Sequence, residues 1–68
     1  MKNLYKRLKP EYKKKLEKEF KEFPTAIERL RADLKGLKNI YDINLNSVIK
    51  IKLFLKIEAD DIILMFDI

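Results

Sequence analysis

The chain holds no histidine and no cysteine. The commonest general base and the thiol nucleophile are therefore missing, and so are the usual ligands of structural zinc. A single glycine cannot build a glycine-rich phosphate loop. The remaining group with chemical potential is Asp60-Asp61, a carboxylate pair that suits a hard cation or acid/base work. No third ligand is evident, and adjacent acids between apolar runs read as turn residues. Tyr5, Tyr12 and Tyr41 read as amphipathic rings packed in the core or at its rim. The sequence thus predicts no catalytic residue, no metal site and no cofactor.

Positive charge is what the chain offers instead. The net charge is +5, and it is unevenly spread. Residues 1–23 hold nine Lys/Arg against four Glu, which is 9 − 4 = +5. Residues 24–38 add 4 − 2 = +2, and residues 39–68 carry 3 − 5 = −2. A basic half favours an anionic partner: nucleic acid, an acidic protein face or a nucleoprotein. The candidate binding residues are Lys14, Lys18 and Lys21, which fall opposite the Tyr12/Phe20 face of a helix, with Lys13 and Lys15 beside them. Arg29 and Arg31 join them from the next helix, and Lys50 and Lys52 from the following segment. Charge alone would carry the contact. No aromatics interleave with the stripe to stack bases, and no helix presents base-reading Asn, Gln or Arg. A solvated face laced with Glu–Lys pairs would have the same composition.

Two helices must carry most of these cations. Pro10 suits a first helical turn, and Tyr12, Leu16, Phe20 and Phe23 recur at spacings of four, four and three. That period predicts an amphipathic helix over ~10–23, with Glu11–Lys15 and Glu17–Lys21 as supporting pairs. Pro24 ends it. Thr25 to Glu28 fits a capping box, and Ile27, Leu30, Leu34 and Leu37 predict a second helix over ~26–36. Gly36 stands where a left-handed cap would close it.

Beyond Lys38 the period becomes two. Tyr41, Ile43 and Leu45 alternate with Asp42 and Asn44; Ile49, Ile51, Leu53, Leu55 and Ile57 alternate with Lys50, Lys52, Phe54 and Lys56; Ile62, Leu64, Phe66 and Ile68 alternate with Ile63, Met65 and Asp67. Asn46-Ser47 and Glu58 to Asp61 supply the breaks. The reading is a meander of strands over ~40–45, ~48–57 and ~61–67. The expected fold is α+β, an antiparallel helical hairpin packed on a three-stranded sheet in one domain. The alternative is an all-α four-helix domain in which Asn44 or Ser47 caps a helix. On such a helix Lys52 and Lys56 lie about 40° apart while Lys50 lies roughly 120–160° away. Apolar residues would then surround most of its circumference and require burial on nearly all sides, which strands avoid. An outer sheet face would present the three lysines, and Ile40, Phe54, Ile63 and Met65 would leave an apolar patch for a partner or a homodimer.

The order of helical hairpin, Leu34-Lys35-Gly36 and alternating meander loosely resembles part of the RelE/ParE toxin family over residues 34–68. That family's arginine-rich strand positions hold Ile, Lys and Asn here, so no catalytic residue carries over; a degenerate RNA-cleaving toxin is what the likeness implies. Leu55 to Ile62 resembles the end of a phage-repressor helix-turn-helix domain, which implies a DNA-binding regulator without its reading helix. Small size, basic charge and lack of catalytic motifs resemble phage anti-CRISPR inhibitors. The favoured expectation is a non-enzymatic basic binding protein that docks on a nucleic acid or nucleoprotein machine and blocks it by occupancy. It has no apolar leader before Pro10 and no run near the ~20 apolar residues of a membrane helix. The lack of cysteine fits a reducing compartment, so a soluble cytoplasmic protein without membrane contact is expected.

Overall fold

The computed structural model describes residues 2–67. Met1 and Ile68, the latter counted above in the last alternating run, lie outside them. The described residues are 73% helical and form no sheet. The helices are α1 (Leu4–Arg7), α2 (Pro10–Phe20), α3 (Pro24–Lys35) and α4 (Leu45–Leu55), with 3-10 turns at Ile40–Asp42 and Ala59–Met65. The α+β expectation is therefore wrong and its all-α alternative describes the chain.

Two of the helices form for the reasons read in the sequence. Pro10 and Pro24 each occupy a first helical position, where a missing N–H costs nothing. In α2 Leu16 is buried with Tyr12 and Phe20 packed around it; in α3 Ile27, Leu30 and Leu34 are buried. The ends differ from expectation. Thr25 lies inside α3, and Phe23 takes the cap position without a side-chain bond, so the capping box does not form. Gly36 is right-handed, with φ −84° and ψ −7°. Asparagines do the capping instead. Asn3, Asn39 and Asn44 accept from the backbone N–H of Lys6 at 2.9 Å, Tyr41 at 3.0 Å and Ser47 at 2.8 Å, each satisfying a donor that a helix start leaves free.

The three expected strands become the 3-10 turns and α4. Ile51 and Leu55 are buried, four residues apart, with Ser47 one turn earlier. Leu45, Ile49 and Leu53 follow the same spacing on the opposite side and are 72%, 52% and 68% exposed. Two apolar stripes offset by two residues read as alternation, although each is helical. The requirement that such a helix be buried all round does not hold, because one stripe is left in solvent. Lys50, Lys52 and Lys56 consequently share no sheet face, and a homodimer through a sheet face has no sheet to use. Met65 is buried and Ile40 and Phe54 are half-buried; of the expected apolar patch, only Ile63 stays largely exposed.

The core joins all elements. Leu4, Leu8, Leu16, Ile27, Leu30, Leu34, Ile51, Leu55, Ile62, Met65 and Phe66 are buried in one cluster. An isolated antiparallel bridge links Leu8 to Phe66. Lys9 N–H donates to the Met65 carbonyl at 2.8 Å and Asp67 N–H to the Arg7 carbonyl at 2.6 Å, so the segment between α1 and α2 is fastened to the C-terminal residues. Between α3 and α4 the buried Ser47 hydroxyl donates to the Asp33 carboxylate at 2.8 Å.

Two substitutions test this account. Hydrogen bonds to charged groups contribute about 1.5–3 kcal/mol. Asp33 is only half-buried and can be rehydrated, so Ser47→Ala should cost about 1.5 kcal/mol in urea unfolding; no measurable loss would refute the role of this bond. Lys56 ends α4 at φ 54° and ψ 44°, a left-handed conformation that a residue with a Cβ adopts at a cost of about 1 kcal/mol. Lys56→Gly should raise the melting temperature by roughly 4–8 °C, the range for about 1 kcal/mol in a domain this small. A lowered melting temperature would contradict that assignment.

Candidate nucleic-acid interface

The residues singled out by sequence do not form one surface. Lys14, Lys18 and Lys21 are exposed along the outer side of α2. At about 100° per residue, Glu11 and Glu17 border them on the same side. Arg29 is exposed on α3 and lines a shallow depression with Phe20, Thr25, Glu28 and Ala32. Arg31 is turned inward. Its guanidinium stacks 4.6 Å from the Phe20 ring centroid and lies 3.8 Å from Glu28, with Nε buried and unbonded, so it works as packing between α2 and α3. Lys50 is half-buried and Lys52 exposed on α4.

Among the described residues, Arg31–Glu28 is the only ion pair within 4.0 Å. The expected Glu11–Lys15 and Glu17–Lys21 pairs do not form at that distance. Lys15 instead lies 5.1 Å from the centroid of Tyr12, where the ring quadrupole attracts its ammonium. Tyr5 is approached by two ammonium groups, Lys13 at 5.4 Å and Lys35 at 5.1 Å. Tyr5 and Tyr12 thus pack at the rim of the core as expected, each with a cation beside it. Tyr41 does not; it is 83% exposed.

The concentration of charge lies elsewhere. Lys2, Lys6, Arg7, Lys9 and Lys13 line a cleft of about 500 Å³ together with Leu8, Pro10 and Asp67. The lining residues include five cations and one carboxylate, 5 − 1 = +4. Every wall has a local cause. Asn3 caps α1 and sets Lys6 and Arg7 on its one turn. Leu8 and Lys9 are extended and held to the C-terminal residues, and Pro10 starts α2, which presents Lys13 one turn on. The bond from Asp67 N–H to the Arg7 carbonyl places the lone acid. Like charges gathered this closely raise the local potential and attract an anion, and the ammonium and guanidinium donors suit phosphate oxygens.

No motif or apolar period in residues 1–9 marks this cleft in the sequence. A charge signal is present: residues 2–9 hold four cations and no acid. The exposed stripe of α4 has its signal in Leu45, Ile49 and Leu53, spaced four apart. Asp60 and Asp61 lie in the last 3-10 turn, both exposed. No group of three or more potential metal ligands occurs among the described residues, and none of their helices is long and apolar enough to cross a membrane.

The fold and cleft define a small all-helical domain with a concentrated basic site. No family model, curated protein or solved structure matches the chain.

Proposed function

We propose that the protein is a non-enzymatic binding protein that seats a nucleic-acid phosphate backbone in the cleft between α1 and α2. Through that contact it docks on a nucleic acid or nucleoprotein assembly and blocks it by occupancy. The observation that carries this reading is the cleft itself, with Lys2, Lys6, Arg7, Lys9 and Lys13 against Asp67. Composition supports the non-enzymatic part, since a chain without His or Cys lacks the commonest general base and the thiol nucleophile. Recognition would follow backbone charge rather than sequence, because the cleft gathers Lys and Arg without the Asn or Gln that read base edges. The toxin reading loses its support with the meander on which its resemblance rested. A helix-turn-helix regulator requires helical structure over residues 45–66, where Leu45–Leu55 is α-helical and Ala59–Met65 a 3-10 run. The resemblance behind it includes no reading helix, and the exposed side of α3 sets Glu28 beside Arg29, where an acid repels phosphate.

Fluorescence anisotropy with labelled 20-nucleotide DNA and RNA, single- and double-stranded, tests the reading. A cleft engaging four to five phosphates should give a slope of log K against log salt of about −4 on duplex DNA and about −3 on single strands. Lys2 and Lys6 are exposed, so Lys2→Glu with Lys6→Glu should leave folding intact and weaken binding at least ~10-fold. Lys14→Glu, Lys18→Glu and Lys21→Glu together should weaken it less. The reverse ranking would move the contact to the outer side of α2, and absence of binding at low salt would remove nucleic acid as a direct partner. Strong discrimination among sequences of equal length would favour the regulator.

A further inference from the structure

We propose that the outward side of α4 docks an amphipathic helix of a partner protein, apolar along one stripe and acidic on its flanks. Leu45, Ile49 and Leu53 are 72%, 52% and 68% exposed. At spacings of four they span about 80° of the helix circumference and roughly 12 Å of its length. That is the anchor pattern by which one helix seats another. The stripe continues at its carboxyl end into Phe23 and Phe54, whose ring centroids lie 5.1 Å apart and which form a shallow pocket with Leu53.

Charge selects the occupant. Helix α4 carries Lys50 and Lys52 and no acid. Lys52 lies about 20° beyond Leu45 on one side of the stripe and Lys50 about 60° beyond Leu53 on the other. A docked helix therefore meets positive charge along both flanks, and carboxylates beside its own apolar stripe complement it. Glu19 and Glu22 stand past the carboxyl end, with Phe23 and Lys56. They favour the positive amino end of the docked helix there, so it runs antiparallel to α4. A second copy of the chain fits less well. Two α4 helices packed antiparallel about Ile49 place both Lys52 side chains on the same edge, with no acid on either helix to neutralise them. This surface does not depend on the basic cleft, which α1, α2 and the C-terminal residues form.

The test uses three synthetic 14-residue peptides and the whole protein. One carries Leu at i, i+4 and i+8 flanked by Glu, the second has Lys in place of Glu, and the third is the Glu peptide with its order scrambled. Titration calorimetry should show the Glu-flanked peptide binding at least ~10-fold more tightly than the scrambled one, and the Lys-flanked peptide not binding. Ile49→Glu and, separately, Leu53→Ser should each reduce that binding at least ~10-fold with an unchanged circular dichroism spectrum. Lys50→Glu with Lys52→Glu should reverse the preference toward the Lys-flanked peptide. Equal affinity for ordered and scrambled peptides, or indifference to both apolar substitutions, would overturn the proposal. So would a free protein that sediments as a dimer and becomes a monomer on Ile49→Glu, because the face would then be an interface between two copies.

Discussion

A buried hydroxyl helps determine how α4 is turned. That helix has two apolar sides, Ile51 and Leu55 with half-buried Val48 and Phe54 on one and Leu45, Ile49 and Leu53 on the other. Burial of apolar area is not directional. The bond of Ser47 is. Ser47 lies on the inner side with no exposed surface, and its hydroxyl donates to Asp33 on α3 at 2.8 Å. Rotating the helix by half a turn would break the Ser47–Asp33 bond, a loss of about 1.5 kcal/mol because half-buried Asp33 can be rehydrated. The polar pair thereby adds a directional bond to the apolar packing that makes the Ile51/Leu55 stripe the core side. The outward position of Ile49 follows from the same docking of α4 on α3.

The same duality governs what the sequence makes legible. Helices α2 and α3 each have a single apolar side, so their period of 3.6 is plain and Pro10 and Pro24 mark their starts. In α4 the stripes Ile51/Leu55 and Ile49/Leu53 are offset by two residues, and two helical stripes so offset produce the alternation of a strand. Periodicity cannot separate these cases. Asn44 was the deciding local feature: its side chain caps the backbone N–H of Ser47, a bond only a helix start requires. The 3-10 run at Ala59–Met65 shows the limit of pattern further. Its three residues per turn set Ile62 and Met65 on the buried side and leave Ile63 and Leu64 outside, a sequence indistinguishable from a short buried strand. Chain ends were equally hidden, since the left-handed residue is Lys56 and not the lone glycine.

The candidate interface was legible only as a charge imbalance. Counting lysines finds nine cations in the first 23 residues, but the structure divides cations by what they touch. Lys13, Lys15, Lys35 and Arg31 lie against aromatic rings. Arg31 is held strongly enough to be packing, whereas Lys13 also lines the cleft. Lys2, Lys6, Arg7 and Lys9 have no ring or carboxylate partner within these distances among the described residues. Their convergence arises from a junction between residues nearly sixty positions apart, Arg7 with Asp67 and Lys9 with Met65. No local pattern encodes such a junction, because it depends on Leu8 and Phe66 being buried together.

That junction also sets an energetic tension. Bringing α1 and the start of α2 around one cleft lines it with five cationic residues and one acidic residue, and an excess of like charge opposes the compact state. The opposing force is the burial of Leu4, Leu8, Met65 and Phe66, helped by three backbone hydrogen bonds that tie Leu4 to Leu37, Lys9 to Met65 and Asp67 to Arg7. A domain of 68 residues has a small margin for such a cost. An anion entering the cleft removes the repulsion while leaving the apolar contacts in place, so occupancy and folding are thermodynamically linked. The outer stripe of α4 obeys a parallel logic with the opposite chemistry. Hydrocarbon left in water there is stabilised only when covered, and the lysines at its flanks admit a covering helix of complementary charge while resisting a second copy of the same basic chain.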